Sequence, residues 1–283
     1  MAELVEIIGL THNPFLPKLL LERGNDPVLE QIAADYAFMH DRLAAARADV
    51  IVVIASDHLN QWFMDNMPAF LVGKAPRTNG PFPHECRAFG LKPYEAAIDV
   101  ELAKWFVARG FDERVDFAFS DEFLIDHAFT VPLNFVRPEM DLPIVPLWTN
   151  VMAPPLPPAK RFFEVGEALT RLISSAPAKQ RVAVVTSGHF AVEVGGPKPN
   201  TAGSTDEEFD RHMMQLIADG DAARVVRDAT FERLMQAGNV TPGFLNYVLL
   251  LGMAGGRKPT ATALRFPAAT TAVYYMEWAL GDA

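Results

Sequence analysis

The sequence has a single cysteine, Cys86, among its 283 residues. One cysteine cannot form an intramolecular disulfide, and it cannot supply a zinc site built from several thiolates. Positive charge is also scarce, because 25 lysines and arginines face 35 aspartates and glutamates, which gives a formal net charge of −10. A chain without a concentrated basic patch is a poor match for the phosphate backbone of nucleic acid. We therefore expect no nucleic-acid partner and a reducing, cytoplasmic location.

Long uncharged apolar runs are missing as well. The most apolar stretch, LNYVLLLGMAGG, is shorter than the about 18 residues that a membrane helix needs. The first residues, MAELVEIIGLTHNP, lack the basic region and long apolar run of a secretory signal. The chain is nevertheless 50% hydrophobic and contains 20 phenylalanines, which indicates a sizeable buried core. We expect a globular protein with no membrane segment.

Short β-branched apolar runs alternate along the chain with amphipathic segments. Four runs predict buried strands: Val5–Leu10, Val50–Ala55, Ile144–Trp148 and Val182–Thr186. Apolar residues at helical spacing, each set opening near a proline, predict three helices: Pro27–Ala48, Pro93–Arg109 and Pro158–Ser174. Strands that alternate with helices of this length are typical of βαβ units. The sequence therefore predicts an α/β fold, a single domain over residues 1–283 with a largely parallel central sheet flanked by helices.

Three of the seven histidines follow directly after predicted strands. His12 comes after the first strand, His58 after the second, and His189 after a later one. In open α/β sheets, ligands bind beyond the carboxyl ends of the strands. Two histidines with one carboxylate suit Fe(II) and leave positions open for dioxygen and substrate. The hypothesis is that His12 and His58 bind a metal; the alternative is that they only satisfy turns and backbone groups at the strand ends.

Several segments, in order, resemble the class III extradiol ring-cleavage dioxygenases, of the catalytic β-subunit type of protocatechuate 4,5-dioxygenase. They are GLTHNPF, SDHLNQWFMDNMPAFLVG, DHAFTVPL, the strand that ends in SGH, and FDRHMMQLIADGD, which together span roughly residues 5–255. The resemblance implies a non-haem Fe(II) that opens a catechol-type ring beside the diol and inserts both atoms of dioxygen. It implies that His12 and His58 are metal ligands and that His127 lies beside the bound oxygen and substrate. It also implies a homo-oligomer or pairing with a second subunit.

Two positions depart from the pattern of that family. The glutamate that completes the metal site falls at Gly243 here, and no acidic residue occurs between Glu232 and Glu277. The histidine that serves as general base falls at Val192, while His189 lies three residues earlier. Asp57 and Glu193 are the nearby carboxylates that could replace the glutamate, and a reshaped loop could bring His189 into the site. Fe(II) is expected from the resemblance, but its third ligand is missing from the motif.

Three functions stay open from the sequence. The first is a divergent extradiol-type dioxygenase acting on a catecholic or aminophenolic ring, with His127 and His189 as catalytic residues. Trp62 and Phe63, which follow His58, would then stack on the aromatic substrate, although a QWF triplet is equally typical of a core. The second is a related enzyme with metal-independent acid–base or hydrolytic chemistry. The third is a non-catalytic homologue that pairs with an active subunit or binds a small aromatic ligand.

Overall fold

The structure, a computed structural model, describes residues 1–195 and 204–281. The strands are β1 (Glu3–Thr11), β2 (Val50–Ala55), β3 (Phe70–Gly73), β4 (Arg77–Gly80), β5 (Tyr94–Ala97), β6 (Ala118–Ser120), β7 (Ile144–Thr149), β8 (Arg181–Gly188), β9 (Ala261–Arg265) and β10 (Val273–Ala279). The α-helices are α1 (Leu16–Leu21), α2 (Pro27–Ala45), α3 (Pro83–Phe89), α4 (Val100–Gly110), α5 (His127–Val136), α6 (Ala159–Ser175), α7 (Glu207–Asp219), α8 (Ala222–Asp228), α9 (Phe231–Ala237) and α10 (Leu245–Met253). Short 3₁₀ turns cover Phe111–Glu113 and Thr241–Phe244.

An eight-stranded sheet in the order β6-β3-β7-β2-β8-β1-β10-β9 forms the centre of the molecule. Strand β8 runs parallel to both β1 and β2, and β2 runs parallel to β7. Strands β10 and β9 extend one side of the sheet in the antiparallel sense. Every residue of β2 and β7 is buried, as expected for strands covered by helices. The predicted α/β fold with a largely parallel central sheet is confirmed.

The prediction of one helix over Pro93–Arg109 is wrong in its first half. Residues Tyr94–Ala97 form β5, which pairs with β4 in a separate two-stranded antiparallel ladder. Helix α4 begins only after Asp99, whose side chain accepts a hydrogen bond from the backbone N–H of Leu102. Pairing with β4 therefore overrides the helical spacing there. The other predicted strands and helices agree with β1, β2, β7, β8, α2 and α6 apart from shifts at their ends.

Helix α10 is held close to the strands whose ends form one edge of the sheet. It packs tightly on α6, since a Cβ atom at Gly166 would lie 2.0 Å from the carbonyl oxygen of Leu249. Asn246 on α10 donates to the carbonyl of Ser187 at 2.8 Å, and the Tyr247 hydroxyl lies 2.7 Å from the carbonyl oxygen of Leu10. These contacts fix the carboxyl ends of β8 and β1 relative to one another.

Within the parts of the chain that the structure covers, no helix combines the length and the apolar character needed to cross a membrane.

Two carboxyl groups on neighbouring strands are buried together beside one cation. Glu6 on β1 is 1% exposed and Glu277 on β10 is fully buried. Arg42 donates to Glu277 at 2.8 Å and to Glu6 at 3.4 Å, while the second oxygen of each carboxyl has no hydrogen-bond partner among the residues that the structure describes. Burial, followed by the negative charge of Glu277, raises the pKa of Glu6 in spite of Arg42. The folded protein therefore retains a proton on this pair at neutral pH.

We expect Glu6→Gln to stabilise the protein increasingly as the pH rises. Above the ordinary glutamate range the folded wild type holds a proton that the unfolded chain has lost, so the wild-type free energy of unfolding falls with pH. The variant lacks this cost, because its amide needs no proton. Urea unfolding at about pH 5 and about pH 8 should show the difference between variant and wild type growing by more than about 1 kcal/mol. Glu3→Gln, exposed on the same strand, is the control; an equal difference at both pH values would contradict the prediction.

Candidate metal centre and active site

Four histidine side chains meet where β1, β2 and β8 end. His12 and His189 directly follow β1 and β8, His58 lies in the loop after β2, and His127 is the first residue of α5. The centroid of the His12 ring lies 5.1 Å from that of His58, 5.6 Å from that of His127 and 4.1 Å from that of His189. The fold thus brings together four histidines that lie up to 177 residues apart, from 12 to 189, in the sequence.

The hydrogen bonds around His12 determine which of its ring nitrogens is free. Its Nδ1 lies 2.9 Å from the hydroxyl of Ser187, and that hydroxyl donates to the carbonyl of Ala128 at 2.6 Å. A serine hydroxyl has one hydrogen, so it accepts from His12, and Nδ1 carries the proton. Nε2 then carries a lone pair, and this buried atom has no hydrogen-bond partner in the part of the chain that the structure describes. Burial, and then positive charge on His189, His58 and His127, would lower the pKa of His12 far below its ordinary value, so the ring stays neutral.

His58 is oriented by a buried carboxylate. One oxygen of Asp126 lies 2.8 Å from Nδ1 of His58 and also accepts from the backbone N–H of His58, and the other accepts from the N–H of Ala128. Burial alone would raise the pKa of Asp126, but the charge of His58, its hydrogen bonds to Asp126 and the charge of His127 outweigh burial and lower the pKa. Burial opposes charge on His58, yet Asp126 raises its pKa overall. A carboxylate that fixes Nδ1–H and turns Nε2 outward is a common support for metal-binding histidine.

His127 lies beside this pair and is anchored from the opposite side. Its ring stacks on that of His58 with centroids 4.2 Å apart, and its Nδ1 is 2.5 Å from a carboxylate oxygen of Glu85 on α3. The second oxygen of Glu85 accepts from the backbone N–H of Phe82 at 3.0 Å. Burial and the neighbouring His58 lower the pKa of His127 although Glu85 opposes them. A neutral imidazole held in one orientation is suited to move a proton to or from a bound molecule.

His189 lies against the turn that carries Gly243. A Cβ atom on Gly243 would be 3.1 Å from the backbone nitrogen of His189 and 3.2 Å from its ring carbon Cδ2. Burial, with positive charge on His58 and His127, lowers the pKa of His189 to about 3. Val192, the position aligned with the family's base, is buried and donates its backbone N–H to the hydroxyl of Thr241. His189 is therefore the histidine of this loop that joins the cluster.

Over residues 1–195 and 204–281, two sets of three side chains bring potential ligand atoms within 4.8 Å of one another. They are His12, His58 and His189, and His58, Asp126 and His127. Imidazole-rich sets of this kind suit divalent iron, zinc, copper or nickel. Nε2 of His12 fits such an ion, because no other group in the described part of the chain pairs with its buried lone pair.

Asp57 and Glu193, the carboxylates considered as replacements for the missing glutamate, belong to neither of these two sets of ligand atoms. Asp57 is fully buried, and one of its oxygens accepts from the backbone N–H groups of Asn60, Gln61 and Trp62. That carboxylate therefore organises the loop after β2 that carries His58. Glu193 follows His189 on the same loop and is also absent from both sets.

The two aromatic residues proposed to bind substrate differ in their surroundings. Trp62 is partly buried, with its ring centroid 4.9 Å from that of Trp148 in the core. Phe63 is half exposed, and its backbone N–H donates to Asn66. Their role in substrate binding stays a prediction. Phe89, which the sequence did not single out, lies beside the cluster, with its ring centroid 5.8 Å from that of His127.

Sequence reasoning missed the groups that hold the histidines in place. Asp126 could have been found, because it directly precedes His127 in the DHAFTVPL segment. Glu85 and Ser187 gave no such signal, since they lie 42 and 175 residues from the histidines they contact. Only the fold brings these partners together.

Residues 6–276 match the family described as the catalytic LigB subunit of aromatic ring-opening dioxygenase. The chain belongs to this family, and it is accordingly a ring-cleaving dioxygenase of the extradiol type, as the sequence predicted. A solved structure of an uncharacterized protein from Escherichia coli aligns with 97% of this chain and 99% of its own, with a TM-score of 0.59 and 15% identity. That similarity shows a shared fold.

Three curated relatives are named 2,3-dihydroxyphenylpropionate/2,3-dihydroxicinnamic acid 1,2-dioxygenase. The protein from Rhodococcus sp. is 32% identical over 240 residues, which are 83% of this chain and 69% of the relative. The protein from Paraburkholderia xenovorans is 32% identical over 211 residues, which are 74% of this chain and 62% of the relative. One from Escherichia coli is 30% identical over 234 residues, which are 81% of this chain and 68% of the relative. The match therefore spans about two thirds of the length of these relatives.

Proposed function

We propose that this protein opens a catecholic or aminophenolic ring with non-haem Fe(II) and O₂, over a single catalytic domain of residues 1–283. The observation that carries the proposal is the pair of imidazoles at the ends of β1 and β2. Ser187 and Asp126 fix the Nδ1 atoms of His12 and His58, which leaves both Nε2 atoms free to bind a metal. The names of the relatives support a substrate with two adjacent hydroxyl groups on a phenyl ring.

His12 and His58 would hold the iron. When bound, Fe(II) supplies a centre at which electron density passes between the substrate oxygens and dioxygen. The residues of the chain do the remaining work. His127, neutral and hydrogen-bonded to Glu85, takes the proton of a substrate hydroxyl and returns a proton to the product. Trp62 and Phe63 line the approach to the ring and stack on it. The partners are a small aromatic substrate and O₂, and the chain works as a homo-oligomer or with a second subunit.

Anaerobic loading with Fe(II), followed by metal analysis and oxygen-uptake measurements, tests this function. We expect about one iron per chain and oxygen uptake with at least one of catechol, protocatechuate, 2,3-dihydroxyphenylpropionate and 2-aminophenol. The product should have the mass of the substrate plus both atoms of dioxygen, and a chelator should stop the reaction. Turnover that continues with chelator and without oxygen would instead support metal-independent chemistry. Absence of iron and of turnover, with co-purification of a second subunit, would support the non-catalytic homologue.

A further inference from the structure

Position 243, where the family pattern has a glutamate, lies next to His189 in the structure. Gly243 faces the ring of His189, and a Cβ atom there would already lie within 3.4 Å of three His189 atoms. Contacts this close leave little room for a longer side chain at 243 while His189 keeps its position. We infer that His189 is the third protein ligand of the metal, so that three imidazoles replace two imidazoles and a carboxylate. This inference rests on the proposed function in taking the site to bind a metal.

The donor atoms of the three histidines face a common space. One ring nitrogen from each of His12, His58 and His189 lies within 4.8 Å of the others, close enough for one ion to draw them together. The free donor of His12 is defined by its bond to Ser187, and that of His58 by its bond to Asp126. No carboxylate oxygen takes part in this set among the residues that the structure describes.

The backbone on both sides of His189 is fixed by a single tyrosine. Tyr274 on β10 donates its hydroxyl to the carbonyl of Gly188 at 2.9 Å, and its oxygen accepts from the N–H of Phe190 at 3.2 Å. Gly188 in turn lies directly against the turn, since a Cβ atom there would be 2.3 Å from the carbonyl oxygen of Gly243. A residue clamped in this way presents its side chain in one direction, which is what a metal ligand requires.

The set of His58, Asp126 and His127 is better explained as hydrogen-bonding groups that orient the metal ligands than as a metal site of its own. Both oxygens of Asp126 are engaged, one with Nδ1 and the backbone N–H of His58 and the other with Ala128. Nδ1 of His127 is engaged with Glu85. Asp126 therefore serves His58 as a hydrogen-bond acceptor, and His58 contributes its other nitrogen to the set with His12 and His189.

Metal affinity measured without substrate or oxygen tests the inference. Equilibrium dialysis with Fe(II), and separately with Co(II), should show His189→Ala losing more than about 100-fold in affinity, beyond the effect of most supporting residues. The double variant His189→Ala with Gly243→Glu should regain most of the lost affinity, because the vacated space admits a carboxylate. His212→Ala is the matched control, since His212 is exposed on α7 and pairs with Asp228, and it should bind as the wild type does.

Wild-type affinity for both metals in a folded His189→Ala variant would overturn the inference, and a fall in kcat alone would then assign His189 as the catalytic base. Loss of metal in His127→Asn but not in His189→Ala would also overturn it, in favour of the second donor set. His189→Asn is measured beside the alanine variant and must lose metal too, with circular dichroism to check folding. Metal that depends on His189 without any oxygen uptake by the wild type would support the ligand assignment while contradicting the proposed function.

Discussion

Replacing His12 with glutamine is expected to abolish iron binding and, with it, ring opening. His12 is fully buried, and its Nε2 carries a lone pair that has no hydrogen-bond partner among residues 1–195 and 204–281. Glutamine is close to histidine in size and is polar, but it has no imidazole nitrogen to offer a metal. Removing a ligand should cost more than the about 10–100-fold in affinity that follows loss of a supporting residue, hence more than about 2.7 kcal/mol. Anaerobic dialysis against Fe(II) and oxygen uptake with a catecholic substrate measure both effects.

Two companion variants separate the ligand from its support. Ser187→Ala removes the acceptor of the Nδ1–H of His12 and should weaken iron binding within the supporting range of about 10–100-fold. His40→Gln changes a histidine on α2 that pairs with Asp41 and Glu139, and it should leave iron binding unchanged. Iron affinity equal to that of the wild type in a folded His12→Gln protein would show that His12 is not a ligand.

The inner strands of the central sheet could be predicted from the sequence because each is a short, continuous run of apolar residues. Val50–Ala55 is six apolar residues in a row, and the observed strand has the same bounds. The outer parts of the sheet were harder. Strand β10 is placed by antiparallel pairing with β1, more than 260 residues away in the chain, as in the pair of Gly9 with Met276. Outside the central sheet, β5 is a strand because it pairs with β4. Pairing between distant segments leaves no periodicity in either of them.

The candidate site could be predicted in part, because residues that follow neighbouring parallel strands meet at the same edge of the sheet. His12, His58 and His189 follow parallel strands that are neighbours in the sheet, so their meeting is a consequence of topology. The relation between His189 and Gly243 could not be predicted. In the sequence, the glycine at 243 and the displaced histidine at 189 are two separate departures from the motif. One concerns a metal ligand and the other a catalytic base. In the structure Gly243 lies against His189, and a Cβ atom at 243 would already contact the backbone and ring of His189.

His127→Asn is expected to lower kcat by about 10²–10⁴-fold while leaving iron binding intact. Asparagine can still donate to the carboxylate of Glu85, so the side chain stays anchored, but it cannot take up and return a proton. The ring of His127 stacks on that of His58 without sharing its hydrogen-bond partner, because Glu85 binds the one and Asp126 binds the other. The separate anchors are the reason to expect that the loss of proton transfer does not disturb the metal ligand. Steady-state oxygen uptake with iron-loaded protein, together with iron analysis of the same samples, measures both.

Glu85→Gln provides the graded comparison for this prediction. The glutamine side chain preserves the shape of the anchor but removes the negative charge beside Nδ1 of His127, so kcat should fall by less than in His127→Asn with KM little changed. Loss of iron in His127→Asn would make His127 a ligand and would move the metal toward Asp126. An unchanged kcat with full iron in His127→Asn would show that a group other than His127 transfers the proton. Iron content and kcat, measured together in these two variants, therefore show whether His127 transfers a proton, binds the metal or does neither.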